Sequence, residues 1–363
     1  MLIRLRQLAT IASCLLLLCL SAGGEGRAQP GADVSRAGAS VTNRLSRALQ
    51  GPAGFRNADP EYRRAPIVAR ATSFVLGGTW LWPEKRVASL AAVPPDLATL
   101  RGNRGEATVT WVGHSTVLVQ LDGATFLTDP TWAQRTGPFG GLVGIGRYTP
   151  PGIRFEDLPP IDFVLISHDH YDHLDEPTVR RLARIHNPRF VVPLGIKSWL
   201  ADRGIANAVE LDWGESTTLK GLTIVCTPAQ HGSGRTPFDQ GRRLWASWAV
   251  LGSKRFYFGG DTGYYRHFKD IGDEFGPFDL AVLPIGSYTP REHTRHVHIS
   301  PEDALQAWLD LRGARFLGVH WGTFGLAREP YDEPPQRLAA EVQRRHLDPG
   351  SIWVPPPGQT ERW

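Results

Sequence analysis

The sequence predicts one mixed α/β domain behind a secretory-type leader, and three observations carry this. Short runs rich in β-branched and aromatic residues recur through most of the 363-residue chain. Stretches with helical periodicity or helix-start chemistry lie between some of them. The composition, 41% hydrophobic and 21% charged, is that of a globular protein and supports neither disorder nor a multi-span membrane protein.

The elements follow in chain order. Residues 1–28 open with Arg4 and Arg6, continue through an apolar stretch from Leu8 to Leu20, and end in Gly26-Arg27-Ala28. This is the layout of a cleaved secretory signal, with retention as an amino-terminal anchor the alternative. The apolar run is too short for a spanning helix. Ile11-Ala12-Ser13-Cys14 resembles a lipoprotein box, but the apolar stretch lies mostly after Cys14, which argues against lipidation. Cleavage would remove Cys14 and Cys19, leaving Cys226 alone and no intramolecular disulfide. It would also remove Arg4, Arg6 and Arg27 against Glu25, so half of the formal +4 charge leaves with the leader. Nothing in the remaining charge points to nucleic acid. The periplasm, or secretion, is the expected location.

Residues 29–60 are rich in Gly, Ala, Ser, Arg and Pro without periodicity and read as a flexible leader to a domain over 61–363. ATVTWVGHSTVLVQLDG and TFLTDP flank an Asp122-Gly123 turn and predict a β-hairpin. Further strands are expected at IDFVLIS, RFVVP, LTIVCTP, LWASWAVLG, RFYFGGD, DLAVLPIG and ARFLGVH. EPTVRRLARIH places Val179, Leu182 and Ala183 on one helical face. Ser300-Pro301-Glu302-Asp303 supplies an N-cap, a proline in the first helical position and an acid three residues after the cap, so a helix should follow. Cys226, in LTIVCT, reads as a small buried hydrophobe, and Trp245 and Trp248 as core residues.

The apolar run IDFVLI ends in SHDHYDHLD, which crowds His168, His170, Asp172 and His173 into one loop. In an extended segment, side chains two apart project to one side, so His168 and His170 can grip one ion while Asp172 and His173 reach a second. Imidazole and carboxylate donors suit Zn²⁺, and Mn²⁺ or Fe²⁺ would also be accepted. His231, Asp261 and His320 each follow an apolar strand, where a sheet-based fold delivers functional groups.

This pattern, H-x-H-x-D-H followed by separate His, Asp and His residues at strand ends, resembles the ligand set of the metallo-β-lactamase superfamily. GHSTVLVQLDG, LPPIDFVLISHDHYDHLD, TPAQH, LWASWAVLG, GGDTGY, FGPFDLAVLPIG and HWGTF resemble, within it, the N-acylphosphatidylethanolamine-hydrolysing phospholipase D family, from Phe55-Arg56-Asn57 to near the carboxyl terminus. The resemblance implies an αββα sandwich with two zinc ions per chain. His168, His170 and His231 would hold one zinc, Asp172, His173 and His320 the other, and Asp261 would bridge them. It further implies a catalytic part for His298. Asp129 would orient a ligand histidine from behind, and His114 would lie near the metals. The reaction implied is hydrolysis of a phospholipid phosphodiester, with peripheral membrane contact left open and no oligomeric state specified.

Several positions depart from the family pattern. Gly-Ser-Gly-Arg follows His231 where an aromatic is expected, and Val297 stands before His298 where an amide is expected. The loop Arg291–His296 is charged, and Arg291 and Arg295 are candidates to grip a phosphate, as against simple solvated arginines. His293 and His296 read as surface residues. Two alternatives therefore stand beside the phosphodiesterase: a lactonase, amidase or β-lactamase using the same metals, and a non-catalytic envelope metal-binding protein.

Overall fold

The computed structural model describes residues 48–51, 54–59, 62, 90–236 and 238–363. The leader expected over 1–28 lies outside the described residues, and the described ones fall within one compact unit. A short antiparallel hairpin, β1 (Leu49–Gly51) with β2 (Gly54–Arg56), comes first. It corrects part of the expectation that 29–60 is a flexible leader. The Ala48 amide donates to Asp212 Oδ1 at 3.2 Å, the Phe55 amide donates to the Gly241 carbonyl, and Asn57 is buried. Composition misled here because the partners that order this segment lie far along the chain.

The body is two sheets. β3 (Thr108–Gly113), β4 (Thr116–Leu121) and β5 (Ala124–Thr128) form an antiparallel meander that contains the hairpin expected about Asp122-Gly123. A two-stranded excursion, β6 (Arg135–Thr136) with β7 (Ile145–Gly146), leads on to β8 (Phe163–Leu165), β9 (Arg189–Pro193) and β10 (Ala208–Leu211). The second sheet takes β11 (Ser216–Leu219), β12 (Leu222–Thr227), β13 (Ser247–Leu251), β14 (Arg255–Phe258), β15 (Leu280–Pro284), β16 (Arg315–Val319) and β17 (Ile352–Trp353) in that order. The last strand, β18 (Thr360–Arg362), returns to the first sheet beside β3, giving the order β10-β9-β8-β5-β4-β3-β18.

Helices cover both outer faces. Leu100 of α1 (Leu97–Gly102), Val179 and Leu182 of α2 (Glu176–Ile185), and Ile196, Trp199 and Leu200 of α3 (Ile196–Ala201) pack with Val112, Leu118, Leu127 and Val164 of the first sheet. Residues of α4 (His267–Phe275), α5 (Pro301–Asp310) and α6 (Glu333–Arg344) join the cluster that also fills the space between the sheets. β8 shows why its sequence is continuously apolar: Phe163 and Leu165 enter the inter-sheet core while Val164 enters the helix-covered one. The layers are helix, sheet, sheet, helix, as the resemblance implies.

Cys226 and Trp248 are buried in the inter-sheet core, and the Trp248 indole donates to the Ile166 carbonyl at 3.0 Å. Among the described residues no helix is long and apolar enough to cross a membrane.

Candidate metal centre

The site residues converge because parallel strands end together. His168 follows β8, Asp261 follows β14 and His320 follows β16, while His231 follows β12 and His114 sits in the β3–β4 turn. Three of the residues, His114, Asp129 and His320, hold left-handed backbone, with φ of 53°, 33° and 61°. Such conformations are uncommon for residues other than glycine and persist where surrounding structure over-determines them. Gly260, with φ 57°, has no side chain because a Cβ there would sit 2.4 Å from Ser167 Cβ. Asp261 is thereby brought against the His168 loop.

Four overlapping groups of potential ligand atoms form, each within 4.8 Å: His168, His170 and His231; Asp172, His173 and His320 with His114; Asp129, His168 and His173; and His231, Asp261 and His298; the first two are the principal ones. In the first, His170 Nδ1 lies 2.8 Å from His168 Nε2 and 3.2 Å from His231 Nε2. Asp261 lies between the two principal groups. Its Oδ2 is 3.3 Å from His173 Nε2 and 3.8 Å from His231 Nε2, and its Oδ1 is 3.1 Å from His320 Nε2. His298 Nδ1 is 3.7 Å from Asp261 Oδ2, and the His298 ring is half-buried.

The surrounding hydrogen bonds select which imidazole nitrogen faces inward. His173 Nδ1 pairs with Asp129 Oδ2 at 2.7 Å, and His231 Nδ1 donates to the Val297 carbonyl at 2.8 Å. Both leave Nε2 facing the site, the arrangement metal-ligating histidines commonly show. Asp129 also accepts from the Ser167 amide at 2.7 Å and from Ser167 Oγ at 2.5 Å, and Ser167 Oγ lies 2.8 Å from His168 Nδ1. His114 Nε2 pairs with Asp172 Oδ2 at 2.9 Å, so the ring orients that carboxylate. The His114 main chain is fixed by Thr323 Oγ1, which accepts from its amide.

Electrostatics show what these residues need. Burial would raise both carboxyls, yet His173 and other histidines hold Asp172 and Asp261 well below the usual range. Burial would likewise lower His173 and His320, but Asp261 and Asp172 raise His173 well above its usual value and His320 to about 9. His231 and His298 are pushed by burial down to about 3. Two buried carboxylates thus draw positive charge into the pocket. His173 Nε2, His320 Nε2 and Asp261 Oδ1 are nevertheless buried without hydrogen-bond partners. Buried polar atoms without a well-formed hydrogen bond are costly, and divalent cations taking the place of the protons on these rings would satisfy them, so these residues fit a metal centre.

Arg291 is taken up structurally: its Nη1 donates to the His298 carbonyl at 2.7 Å and its Nη2 pairs with Asp303. Arg295 Nε donates to His296 Nε2 at 3.0 Å. Neither contact reaches the metal-ligand cluster. Val297 acts through its carbonyl, which is why its side chain departs from the expected amide without breaking the contact to His231. Three supporting residues were missed. Ser167 stood next to His168 in sequence but carried no pattern of its own. Asn57 accepts from the His231 amide at 3.0 Å and donates to the His231 carbonyl at 2.8 Å across 174 residues. Asp169, fully buried, accepts from the Gly234 amide and from Arg243 Nη1, both at 2.7 Å, and so fastens the loop between His168 and His170.

Comparison with known proteins agrees with this geometry. Residues 124–321 match the family model of the beta-lactamase superfamily domain. The N-acyl-phosphatidylethanolamine-hydrolyzing phospholipase D 1 of Caenorhabditis elegans is 45% identical over 267 residues, covering 67% of this chain and 74% of the relative. An uncharacterized protein of Mycobacterium tuberculosis is 44% identical over 289 residues, covering 77% and 76%. Among solved structures, a metallo hydrolase from Ignicoccus hospitalis aligns with TM-score 0.55 at 26% identity, covering 71% of this chain and 98% of that one. The chain belongs to the metallo-β-lactamase superfamily and is a metal-dependent hydrolase similar to its phospholipase D members.

Proposed function

We propose that the chain is a dizinc phosphodiesterase of the phospholipase D type, acting on N-acylphosphatidylethanolamine or a related phospholipid at a membrane surface. The observation that carries this is the pair of ligand groups meeting at Asp261. In this reading His168, His170 and His231 would hold one zinc and Asp172, His173 and His320 the other, with Asp261 available to both. The nitrogen and oxygen donors favour zinc. A bound zinc pair supplies Lewis acidity and lowers the pKa of water towards neutrality.

The chain's own residues do the rest. Asp129 and the Val297 carbonyl keep the His173 and His231 lone pairs directed inward. Asp172, turned by His114, and Asp261 fix the spacing of the two halves of the site. His298, with an unpartnered Nδ1 beside Asp261, is placed to donate a hydrogen bond to a phosphoryl oxygen as negative charge builds on it. Hydrolysis on the headgroup side breaks the phosphorus–oxygen bond to the amine alcohol, leaving phosphatidic acid. The likeness to the phospholipase D relatives supports phosphorus over a carbonyl as the point of attack. The leader expected over 1–28 supports a periplasmic or secreted location.

Product analysis tests the reading. Zinc-loaded protein given N-acylphosphatidylethanolamine should release phosphatidic acid and N-acylethanolamine, and Asp261→Asn should lower the rate by more than about 100-fold. Turnover of lactones or amides with the phosphodiester left intact would contradict it.

A further inference from the structure

The β6–β7 connection contains two of the most exposed apolar side chains among the described residues. Phe139 is 77% exposed and Leu142 80%, with Val143 at 44% beside them. Single exposed apolar residues need no explanation, but three in one loop tip do. The tip is not a loose coil. A Cβ on Gly137 would meet the Val143 carbonyl at 2.1 Å, and one on Gly144 the Thr136 carbonyl at 2.0 Å. The two sides of the loop therefore lie backbone against backbone, a closeness only glycine permits. Phe139 itself stands at φ 55°, a strained setting for a large side chain that turns nothing inward.

The loop is attached to the catalytic face. At its foot, Arg147 pairs with Phe324 in a β-bridge and lays its guanidinium 4.7 Å from the centre of that ring. The Phe324 ring lies 5.1 Å from His114. At its tip, the Cβ position of Gly140 is 3.6 Å from Pro177, at the start of the helix that follows the His168–His173 loop. A second loop hangs on the same segment. Tyr171 donates to the Arg235 carbonyl, Arg235 donates to the carbonyls of Asp169 and Leu174, and this loop exposes Phe238 at 66%. Of the nearby arginines, Arg147 is spent on the Ala133 and Thr131 carbonyls and Arg154 pairs with Asp157, while the side chain of Arg135 at the foot of the loop is exposed and, among the described residues, bonds only the Gly144 carbonyl. Three exposed apolar side chains beside the exposed, acid-free Arg135 match the chemistry of an anionic lipid surface.

We propose that Phe139, Leu142 and Val143 form a lipid-docking tip that seats the metal site against an anionic membrane. This rests on the phospholipid reading above for its purpose, but its test does not depend on turnover. The full chain is mixed with phosphatidylcholine vesicles or with phosphatidylcholine–phosphatidylglycerol vesicles, and the bound fraction is measured by flotation. Phe139→Asn suits the left-handed backbone, and with Leu142→Ser it should lower partition onto the anionic vesicles by about tenfold or more. The leader is common to both proteins, so the difference between them reads the loop. A Phe139→Trp variant should show added fluorescence quenching, over the parent protein, by vesicles of brominated phosphatidylcholine and phosphatidylglycerol.

Both variants should hydrolyse bis-(p-nitrophenyl) phosphate as the parent does. Absence of hydrolysis in the parent would remove the phosphodiesterase reading while the vesicle results still judge the tip. Unchanged partition in the double variant, with no added quenching from Phe139→Trp, would overturn the proposal. So would a parent that self-associates through this loop and ignores vesicles.

Discussion

At the scale of single residues, Asp129 shows how much of the site lies behind the candidate ligands. One carboxylate takes hydrogen bonds from the Ser167 amide and hydroxyl and pairs with His173 Nδ1, all without exposure to solvent. Asp129→Asn replaces one accepting oxygen with a donor and breaks either the serine or the histidine contact. We expect zinc affinity, read by competition with a chelating dye, to fall about 10- to 100-fold while the fold persists. Unchanged affinity would mean that His173 needs no such support. The ligand candidates and Asp129 were legible because they recur in short, dense motifs. Ser167 and Asn57 were not, since a serine beside a histidine and an asparagine 174 residues from its partner leave no spacing to read.

At the scale of elements, the apolar strands were readable because they are buried on both faces, as β8 and β15 are. β10, β11, β17 and β18 were not: their residues are mixed or half-exposed, and only the neighbour in the sheet makes them strands. Helix α5 was predictable from chemistry at its start. Ser300 and Asp303 form the reciprocal capping box, and Asp303 also receives Arg291, which holds the His298 carbonyl. One cap thus stabilises a helix and the loop that carries His298 together. Asp303→Ala should cost about 1–2 kcal/mol in a urea melt. It should also lower kcat on a soluble phosphodiester while metal content stays unchanged. A stability loss with full kcat would separate the cap from His298.

At the scale of the whole molecule, the architecture explains why the ligands are scattered in sequence. Both sheets contribute strands that end at one edge of the sandwich, so residues from His114 to His320 meet in a single cluster. Sequence spacing suggested this delivery, but the distances inside the cluster came only with the three-dimensional arrangement of β8, β12, β14 and β16. The central claim is two metal ions held by two groups of residues around Asp261. Metal content by mass spectrometry, after purification without chelators, tests it most directly. The account predicts about two zinc ions per chain, falling to about one in His170→Ala and to about one in Asp172→Ala. A parent protein that holds no metal after reconstitution, or that keeps its full metal content in both variants, would contradict it.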